Sequence, residues 1–383
     1  MFDIVVIGAG VSGSAFCRFI DKKYKILLVD RRNITQKTTA KTCGGLLSER
    51  GQKAMLSLGL ELPSSCLAKE QVFGIRAIDF DSNKERFYQK RYFNFKKEEF
   101  DYYLLEKSLP NIDFREEDYL KSAQFQKDHI KLELKSGTIK TKFLVSAEGA
   151  SSMLRRHFYK PCSSYYTAIQ EEFKSNKDMP YHLASFDSKV TDFYSWIIPK
   201  DGRLLVGSAL ADQPNEKFEL LKKSYQKLGL IDDIKPLKRT GAIITRPSHK
   251  DVYLGKNNLA FIGESAGLIS PSSAEGISYA LLSGYFLADS LNKGFSINNY
   301  LKKTNSFKRS ILKNQIKSHI MYSNFWRSVI FSSGLLSTEM NIVKGTKSSK
   351  IKPHISQPCS VKQGYIATKS QERSKWHFFF LEQ

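Results

Sequence analysis

Cysteine is scarce in this 383-residue sequence, and no two cysteines have the CxxC spacing of metal-binding motifs. Zinc ribbons and iron–sulfur clusters need clustered thiolates, so the five cysteine positions argue against these centres: Cys17, Cys43, Cys66, Cys162 and Cys359. The seven histidines show no ligand spacing either, and we expect no metal site. A sparse and odd number of cysteines also favours a reducing compartment over a disulfide-linked scaffold.

Long apolar runs are missing as well. No uninterrupted run reaches the roughly 18 residues of a membrane-spanning helix, which disfavours such a helix. Residues 2–7 are apolar and lead directly into glycines, so we expect a buried strand there and no targeting segment before it. We therefore expect a cytoplasmic protein, with peripheral membrane attachment as an open alternative.

Acidic residues are few, with 38 Asp and Glu against 60 Lys and Arg and a net charge of +22. More than half of this excess lies in residues 301–383, which hold fifteen basic and three acidic residues. Two interpretations compete: a surface for an anionic membrane, or a lysine-rich composition without a specific partner. Nucleic acid is disfavoured, because the aromatic residues of this region recur periodically, as in a packed helix.

A glycine turn at the start of the chain carries the clearest motif. Gly8-Ala-Gly10-Val-Ser-Gly13 follows an apolar strand and opens a helix, as in dinucleotide-binding folds. Gly8 permits the tight turn, Gly10 lets a pyrophosphate approach the backbone, and Gly13 lets helix and strand pack. Asp30 ends the second strand, where a carboxylate can accept hydrogen bonds from ribose. The motif predicts a dinucleotide site formed by Gly8, Gly10, Val11, Ser12, Gly13, Asp30 and Arg31.

Two later segments resemble the second and third fingerprints of group A flavoproteins, the p-hydroxybenzoate hydroxylase type of FAD-dependent oxidoreductase. The first runs from Phe143 through Glu148-Gly149 to a basic residue, and the second is Gly263-Glu264 followed by Gly276-Ile277. The resemblance implies FAD as the cofactor, held also by Glu148, Gly149, Gly263, Glu264, Gly276 and Ile277. Both fingerprints normally carry Asp where this chain has Glu, which puts the strength of FAD binding in question. Ala274 also replaces a glycine that is usual in the third.

Further motifs resemble the geranylgeranyl reductase-like branch of this superfamily. Cys43-Gly44-Gly45 is similar to the branch's Cys-Gly-Gly segment, which passes beside the flavin ring. The segment from Tyr194 through Trp196 to Pro199 is similar to its Tyr-x-Trp-x-Phe-Pro strand, with Ile198 in place of Phe. Lys97-Glu-Glu-Phe-Asp101 is similar to its Arg-x-x-Phe-Asp helix start, with Lys for Arg. The resemblance covers roughly residues 1–300.

The order of strands and helices predicts an α/β protein. We expect a discontinuous Rossmann-like FAD-binding domain of the glutathione-reductase type, formed by residues 1–70, 96–160 and 245–295. An antiparallel β-sheet substrate domain, residues 71–95 and 161–244, is inserted into it. Residues 296–343 form a C-terminal helical region, and residues 344–383 a flexible basic tail.

These resemblances imply reduction of carbon–carbon double bonds in an isoprenoid or another apolar small molecule. The proposed catalytic residues are Cys43, Tyr194 and Trp196, although a structural thiol and plain sheet-core aromatics explain these positions nearly as well. The sequence does not identify the electron donor, for which NADPH and other reductants are candidates. An FAD-dependent monooxygenase or halogenase is the enzymatic alternative, because halogenases of this superfamily carry Trp-x-Trp-x-Ile-Pro where this chain has Tyr194–Pro199. A membrane-surface flavoprotein that passes electrons or has no catalytic role is an alternative of another class. Oligomeric state stays open.

Overall fold

The computed structural model describes residues 1–37 and 42–338. Within these ranges the helices are α1 (Val11–Phe19), α2 (Glu49–Ser57), α3 (Lys97–Glu106), α4 (Met153–Phe158), α5 (Pro214–Lys227), α6 (Ile277–Gly294), α7 (Asn298–Lys303), α8 (Asn305–Tyr322) and α9 (Asn324–Ser333). The end of the expected helical region and the expected flexible tail, residues 344–383, lie outside the described residues.

The strands of the described residues are β1 (Phe2–Ile7), β2 (Ile26–Val29), β3 (Leu46–Leu47), β4 (Gly74–Asp79), β5 (Lys84–Gln89), β6 (Phe93–Asn94), β7 (Asp113–Arg115), β8 (Leu120–Phe125), β9 (Ile130–Leu134), β10 (Gly137–Ser146), β11 (Tyr165–Lys174), β12 (Tyr181–Phe186), β13 (Ser195–Pro199), β14 (Arg203–Leu210), β15 (Lys238–Thr245), β16 (Gly255–Lys256) and β17 (Leu259–Phe261). They form an eight-stranded sheet, a seven-stranded sheet and the small pair β3–β6.

The first sheet has the order β16-β17-β10-β1-β2-β7, and β9 and β8 extend it from β10. Its centre is parallel: β1 pairs with both β2 and β10, and β10 pairs with β17. Strand β2 and the final four residues of β1 and β10 are buried because both faces of the sheet are covered there, as is usual in parallel sheets. Helices α1 and α6 pack closely, since a Cβ on Gly284 would lie 2.5 Å from the Ser12 carbonyl oxygen. This packing fixes the N-terminus of α1 at the carboxyl end of β1.

The second sheet has the order β15-β11-β14-β13-β12-β4-β5. All its pairings are antiparallel except β12 with β4. Helix α5 covers one face, where Phe218, Leu221 and Tyr225 are fully buried. The opposite face carries Trp196 and Ile198, and Leu46 of β3 and Tyr322 of α8 pack against it. The strands from residues 74–89 thus join those from residues 165–245 in one sheet.

The C-terminal helices α7, α8 and α9 complete the described part of the chain. No helix among the described residues is long and apolar enough to cross a bilayer. A mainly parallel sheet with flanking helices, a second mainly antiparallel sheet and a helical C-terminal region confirm the fold class predicted from the sequence. The exact domain limits given above remain a prediction.

Candidate functional site

The glycine turn after β1 has two glycines that the fold requires and one that faces open space. Gly8 has a φ of +108°, and a Cβ there would lie 2.3 Å from the Ala147 carbonyl oxygen. A Cβ on Gly13 would lie 1.9 Å from the Gly8 carbonyl oxygen. At Gly10, the residue before α1, the nearest atom to such a Cβ is Nη2 of Arg32, at 3.8 Å. Gly10 therefore leaves room for a ligand beside the unpaired N–H groups of a helix N-terminus.

Asp30 lies beside this turn, but its carboxylate is already engaged. Oδ2 accepts the Ala9 N–H at 2.7 Å, which fixes the turn. The Arg32 guanidinium adds a bidentate pair, with Nε 3.0 Å from Oδ1 and Nη2 3.0 Å from Oδ2. Arg32 also lies 3.5 Å from Asp101. The neighbouring Arg31, which we expected at the cofactor, is exposed, so Arg32 is the arginine that the structure places at Gly10.

The Glu148-Gly149 turn of the second fingerprint lies against the glycine turn after β1, because Ala147 contacts Gly8 and Gly13. The Glu148 carboxylate turns toward α4 and accepts hydrogen bonds from the hydroxyls of Ser146 and Ser152 at 2.8 and 2.7 Å. It also accepts the N–H groups of Met153 and Leu154 at 3.1 and 3.3 Å. Glu148 thus caps the helix N-terminus.

Arg155, the basic residue of the second fingerprint, has a structural role. Its side chain is fully buried and donates hydrogen bonds only to backbone carbonyls. Nη1 lies 3.0 Å from the Ser265 oxygen, and Nη2 contacts the Asp251 oxygen. Arg155 therefore connects the turn of the second fingerprint to the turn of the third fingerprint.

The third turn, Gly263–Ala266, also reaches the start of α1. A Cβ on Gly263 would lie 2.7 Å from the Ser12 hydroxyl. One carboxylate oxygen of Glu264 accepts the N–H of Thr245 at 2.9 Å. Gly276 then caps α6, which begins at Ile277. The structure thus brings all three glycine turns together around the N-terminus of α1.

These residues fit a dinucleotide. Gly10 keeps open the one position of the first turn where a side chain would meet a bound pyrophosphate, and the helix dipole there favours an anion. Val11 shares an apolar cluster with Leu47 and Phe95, which flank the Cys43–Gly45 segment. A molecule that extends from Gly10 along this cluster would reach that segment.

The Cys43–Gly45 segment lies directly against β13. A Cβ on Gly44 would lie 2.5 Å from Cδ1 of Ile198. Lys200, which follows β13, donates from Nζ to the carbonyl oxygens of Gly44 at 2.7 Å and Phe95 at 2.6 Å. Burial lowers the pKa of the Lys200 ammonium to about 8. Lys200 therefore links the Cys43–Gly45 segment to the Tyr194–Pro199 motif, although the two are far apart in the sequence. Lys41, at the start of the first motif, lies outside the described residues.

Tyr194 and Trp196 belong to an aromatic cluster over the second sheet. Their ring centroids are 5.7 Å apart, and the Tyr194 hydroxyl donates to the Ser273 oxygen at 2.9 Å, in the loop before α6. Tyr322, from the end of α8, packs 5.1 Å from Phe193 and donates to the Ser272 oxygen. Burial raises the pKa of both tyrosines, so both hydroxyls stay protonated at neutral pH.

His182 and Tyr92 form a second pair near this cluster. Their rings meet edge to face at 5.2 Å, and His182 is the neighbour of Ile75 on β4. Burial lowers the pKa of His182 to about 4 and raises that of Tyr92 to about 12. Nδ1 of His182 is buried without a hydrogen-bond partner among the described residues. Both side chains are therefore neutral at pH 7.

No family model matches the sequence. Curated relatives do: "Protein CbrA" of Escherichia coli O9:H4 (strain HS) is 30% identical over 344 residues, covering 87% of this chain and 94% of the relative. "Protein CbrA" of Shigella sonnei (strain Ss046) is 31% identical over 346 residues, with 87% and 97% covered. The chain belongs to the CbrA family.

Solved structures share the fold of this CbrA-family chain. A geranylgeranyl bacteriochlorophyll reductase-like protein from Thermoplasma acidophilum superposes with a TM-score of 0.74 at 16% identity, covering 90% of this chain and 93% of that one. A single-residue mutant of the halogenase PltM, in complex with FAD, gives 0.63 at 15% identity, with 87% and 82% covered. The chain thus shares the fold of these two proteins, which agrees with the fold that the fingerprints predicted.

Three residues of the CbrA-family site were not predicted from the sequence. Lys200 directly follows the Tyr194–Pro199 motif, and this adjacency could have drawn attention to it. Arg32 stands next to the predicted Arg31, but which of the two turns inward depends on the packing of β2. Tyr322 lies in a region without any family resemblance, and no local pattern distinguishes it from the other aromatic residues there.

Proposed function

We propose that this CbrA-family protein binds FAD and uses it to reduce carbon–carbon double bonds of an isoprenoid or lipid-like substrate. One observation carries the proposal. Three glycine turns meet at the open N-terminus of α1, and the Cys43–Gly45 segment beside them is held against the aromatic cluster by Lys200. This arrangement supports a flat cofactor on one side of the segment and an apolar substrate on the other.

FAD would supply the hydride, and the chain's own residues would do the rest. The N–H groups at the start of α1 would bind the pyrophosphate. Gly44 and Gly45 have no side chain, which would let the substrate lie close to the ring. The aromatic cluster would exclude water from an apolar chain.

The proton for the second carbon would come from Cys43. Its Sγ accepts the Gly45 N–H at 3.4 Å, so the thiol lies within the segment itself. Tyr194 is a less suitable donor, because its hydroxyl is bonded to the Ser273 oxygen and its pKa is raised. Tyr194 and Trp196 would instead line the substrate site. NADPH or another reductant would reduce the flavin without a domain of its own, since the sequence has no second GxGxxG motif after a strand.

A halogenase or monooxygenase is the second candidate. The similarity of β13 to the halogenase motif favours it, as does the likeness in fold to PltM. A halogenase needs a lysine that presents its amine to an oxidised halide. Lys200 is next to the Cys43–Gly45 segment, but it donates to two backbone carbonyls. We therefore rank reduction first.

The first experiment measures FAD binding by Gly10→Ala. Because a Cβ at Gly10 meets nothing closer than Arg32, this variant should fold normally and bind FAD at least about tenfold more weakly, by blocking the pyrophosphate. Gly294→Ala is the matched control, since a Cβ at Gly294 has no neighbour within 4 Å and Gly294 lies at the far end of α6. Wild-type protein that cannot be loaded with FAD, or equal affinity in Gly10→Ala, would refute the cofactor assignment.

The second experiment tests the reaction. Protein loaded with FAD is reduced under anaerobic conditions, prenyl lipids are added, and reoxidation is followed by absorbance. Reoxidation with formation of a saturated product is expected, at a reduced rate in Cys43→Ser. No reoxidation by any isoprenoid rejects the reductase proposal, and oxygen consumption coupled to hydroxylation or chlorination of a substrate would establish the second candidate.

A further inference from the structure

Within the described residues, helix α9 is attached to the body of the protein by one side only. Arg327 and Phe331 are buried. Nε of Arg327 lies 3.0 Å from the Asp79 carboxylate at the end of β4, and Nη2 lies 2.5 Å from Asp81. Phe331 packs against Phe186 of β12. Because a buried ion pair and an aromatic contact, one turn apart, hold the same side, the helix cannot rotate about its axis.

The other side of α9 is apolar and exposed. Phe325, Trp326 and Val329 expose 68%, 52% and 44% of their surface. Their spacing places them on one side of the helix. Leu335 and Leu336, just beyond the helix, are also exposed, at 51% and 44%. Contiguous apolar groups of this kind mark interaction sites, because leaving them in water is unfavourable.

The surrounding sequence has no negative charge. Residues 290–338 contain eight Lys or Arg and no Asp or Glu. On α8, which precedes α9, the exposed basic residues are Lys308, Arg309 and Lys313, and none of them forms an ion pair with another described residue. Leu312 and Ile316 on the same helix are also exposed, at 40% and 46%. Exposed aromatic residues on one helix and unpaired cations on the preceding helix complement an anionic lipid surface.

We propose that α8 and α9 dock the protein onto an anionic phospholipid bilayer, with Phe325 and Trp326 inserted at the headgroup level. A surface that combines exposed Trp and Phe on α9 with exposed cations on α8 is typical of such interfacial binding. RNA is less well matched, because Val329, Leu335 and Leu336 offer no ring on which a base could stack. The proposal does not depend on FAD, so it can fail while the proposed function stands.

The docking surface is continuous with the candidate site. Tyr322 at the end of α8 contacts Phe193 and the loop before α6, two residues before α9 begins. A bilayer on the outer side of these helices would therefore be adjacent to the aromatic cluster. A lipid substrate would have a short path between the two.

The test uses full-length protein and sedimentation with vesicles of phosphatidylcholine alone or with 30% phosphatidylglycerol. Wild type should bind the anionic vesicles and not the neutral ones. F325S/W326S should partition about tenfold more weakly, because both aromatic anchors are lost. The charge variant K308Q/R309Q/K313Q should lose about fivefold per residue, and less at high salt.

Two matched controls replace exposed apolar residues elsewhere. Leu56→Ser and Phe73→Ser, at positions exposed by 82% and 69%, should bind like wild type. Thermal unfolding confirms that each variant is folded. Equal binding to both vesicle types, no binding at all, or unchanged binding of F325S/W326S would overturn the proposal. Capture of RNA without vesicle binding would assign the surface to nucleic acid and overturn it as well.

Discussion

Replacing Lys200 by methionine removes an ammonium that is buried between the Cys43–Gly45 segment and β6. Burial lowers its pKa from 10.5 to about 8, so the folded protein loses this proton at a lower pH than the unfolded chain. Between pH 8 and 10.5 the unfolded chain binds more protons, and the free energy of unfolding therefore rises with pH. From pH 7 to pH 9 this group should add about 1 kcal/mol to the stability of wild type. Well below pH 8 the gain is absent.

The magnitude at pH 7 combines two opposing effects. Loss of a desolvated cation favours the variant by about 3 kcal/mol, the cost of a pKa lowered this far. The carbonyls of Gly44 and Phe95 lose their donor, at about 1–3 kcal/mol each. The net effect lies between about 1 kcal/mol in favour of the variant and about 3 kcal/mol against it, which is within the stability of a typical domain, so Lys200→Met should fold at pH 7.

Urea unfolding of wild type and Lys200→Met at pH 7, 8 and 9 gives the measurement. The difference in free energy of unfolding should move in favour of wild type by about 1 kcal/mol over this range. Lys53→Met, at an exposed position on α2, is the control and should keep a constant difference. A constant difference for Lys200→Met would show that its ammonium is not desolvated, and the reasoning would be wrong.

Three further predictions concern single residues. Burial lowers the pKa of His182 from 6.5 to about 4, so wild type should lose about 2 kcal/mol of stability between pH 7 and pH 5. In urea titrations, His182→Gln should lose this pH dependence, and the variant of an exposed histidine, His157→Gln, should keep it. Ala274 has a left-handed φ of +53°, which costs about 1–2 kcal/mol. Glycine relieves this strain but increases the entropy of the unfolded chain, which costs about 0.4–1 kcal/mol. Ala274→Gly should therefore be neutral to about 1 kcal/mol more stable in thermal unfolding, and destabilisation would contradict this. Glu264→Asp, too short to reach Thr245, should turn its carboxylate toward the cofactor and raise FAD affinity about tenfold in fluorescence titrations; weaker binding would count against the assigned role.

Much of the fold could be predicted because its determinants are local. The central parallel strands are short apolar runs, and the glycine turns need backbone conformations or contacts that only glycine allows. Ala147 against Gly8 shows why the second fingerprint follows a strand: β10 must end beside β1 for its turn to meet the first. The same logic made the candidate FAD residues accessible from the sequence.

The remaining features depend on contacts between distant residues. Arg327 meets Asp79 across 248 positions, and nothing local to either residue indicates the pairing. The sequence shows that Glu148 and Glu264 depart from the fingerprints, but it does not show which groups their carboxylates bind. Glu148 uses its extra methylene to cap α4, and Glu264 reaches the backbone of Thr245. In both cases the orientation of the carboxylate depends on neighbouring residues that the motif does not include.

The C-terminal helices are part of the candidate site and not an appendage, and this decides how membrane docking must be tested. Arg50 of α2 donates to Ser310 at 2.9 Å, Arg246 donates to Ser318 at 2.8 Å, and Tyr322 donates to the Ser272 oxygen at 2.7 Å. Deleting α8 would remove these hydrogen bonds and take Tyr322 out of the aromatic cluster, so a truncated protein would lose structure and docking together. Phe325 and Trp326 are largely exposed and their rings pack against each other, whereas the neighbouring Arg327 holds the helix in place. Substitution of this pair therefore separates binding to lipid from the integrity of the site, because it removes the anchors and leaves every attachment of the helices intact.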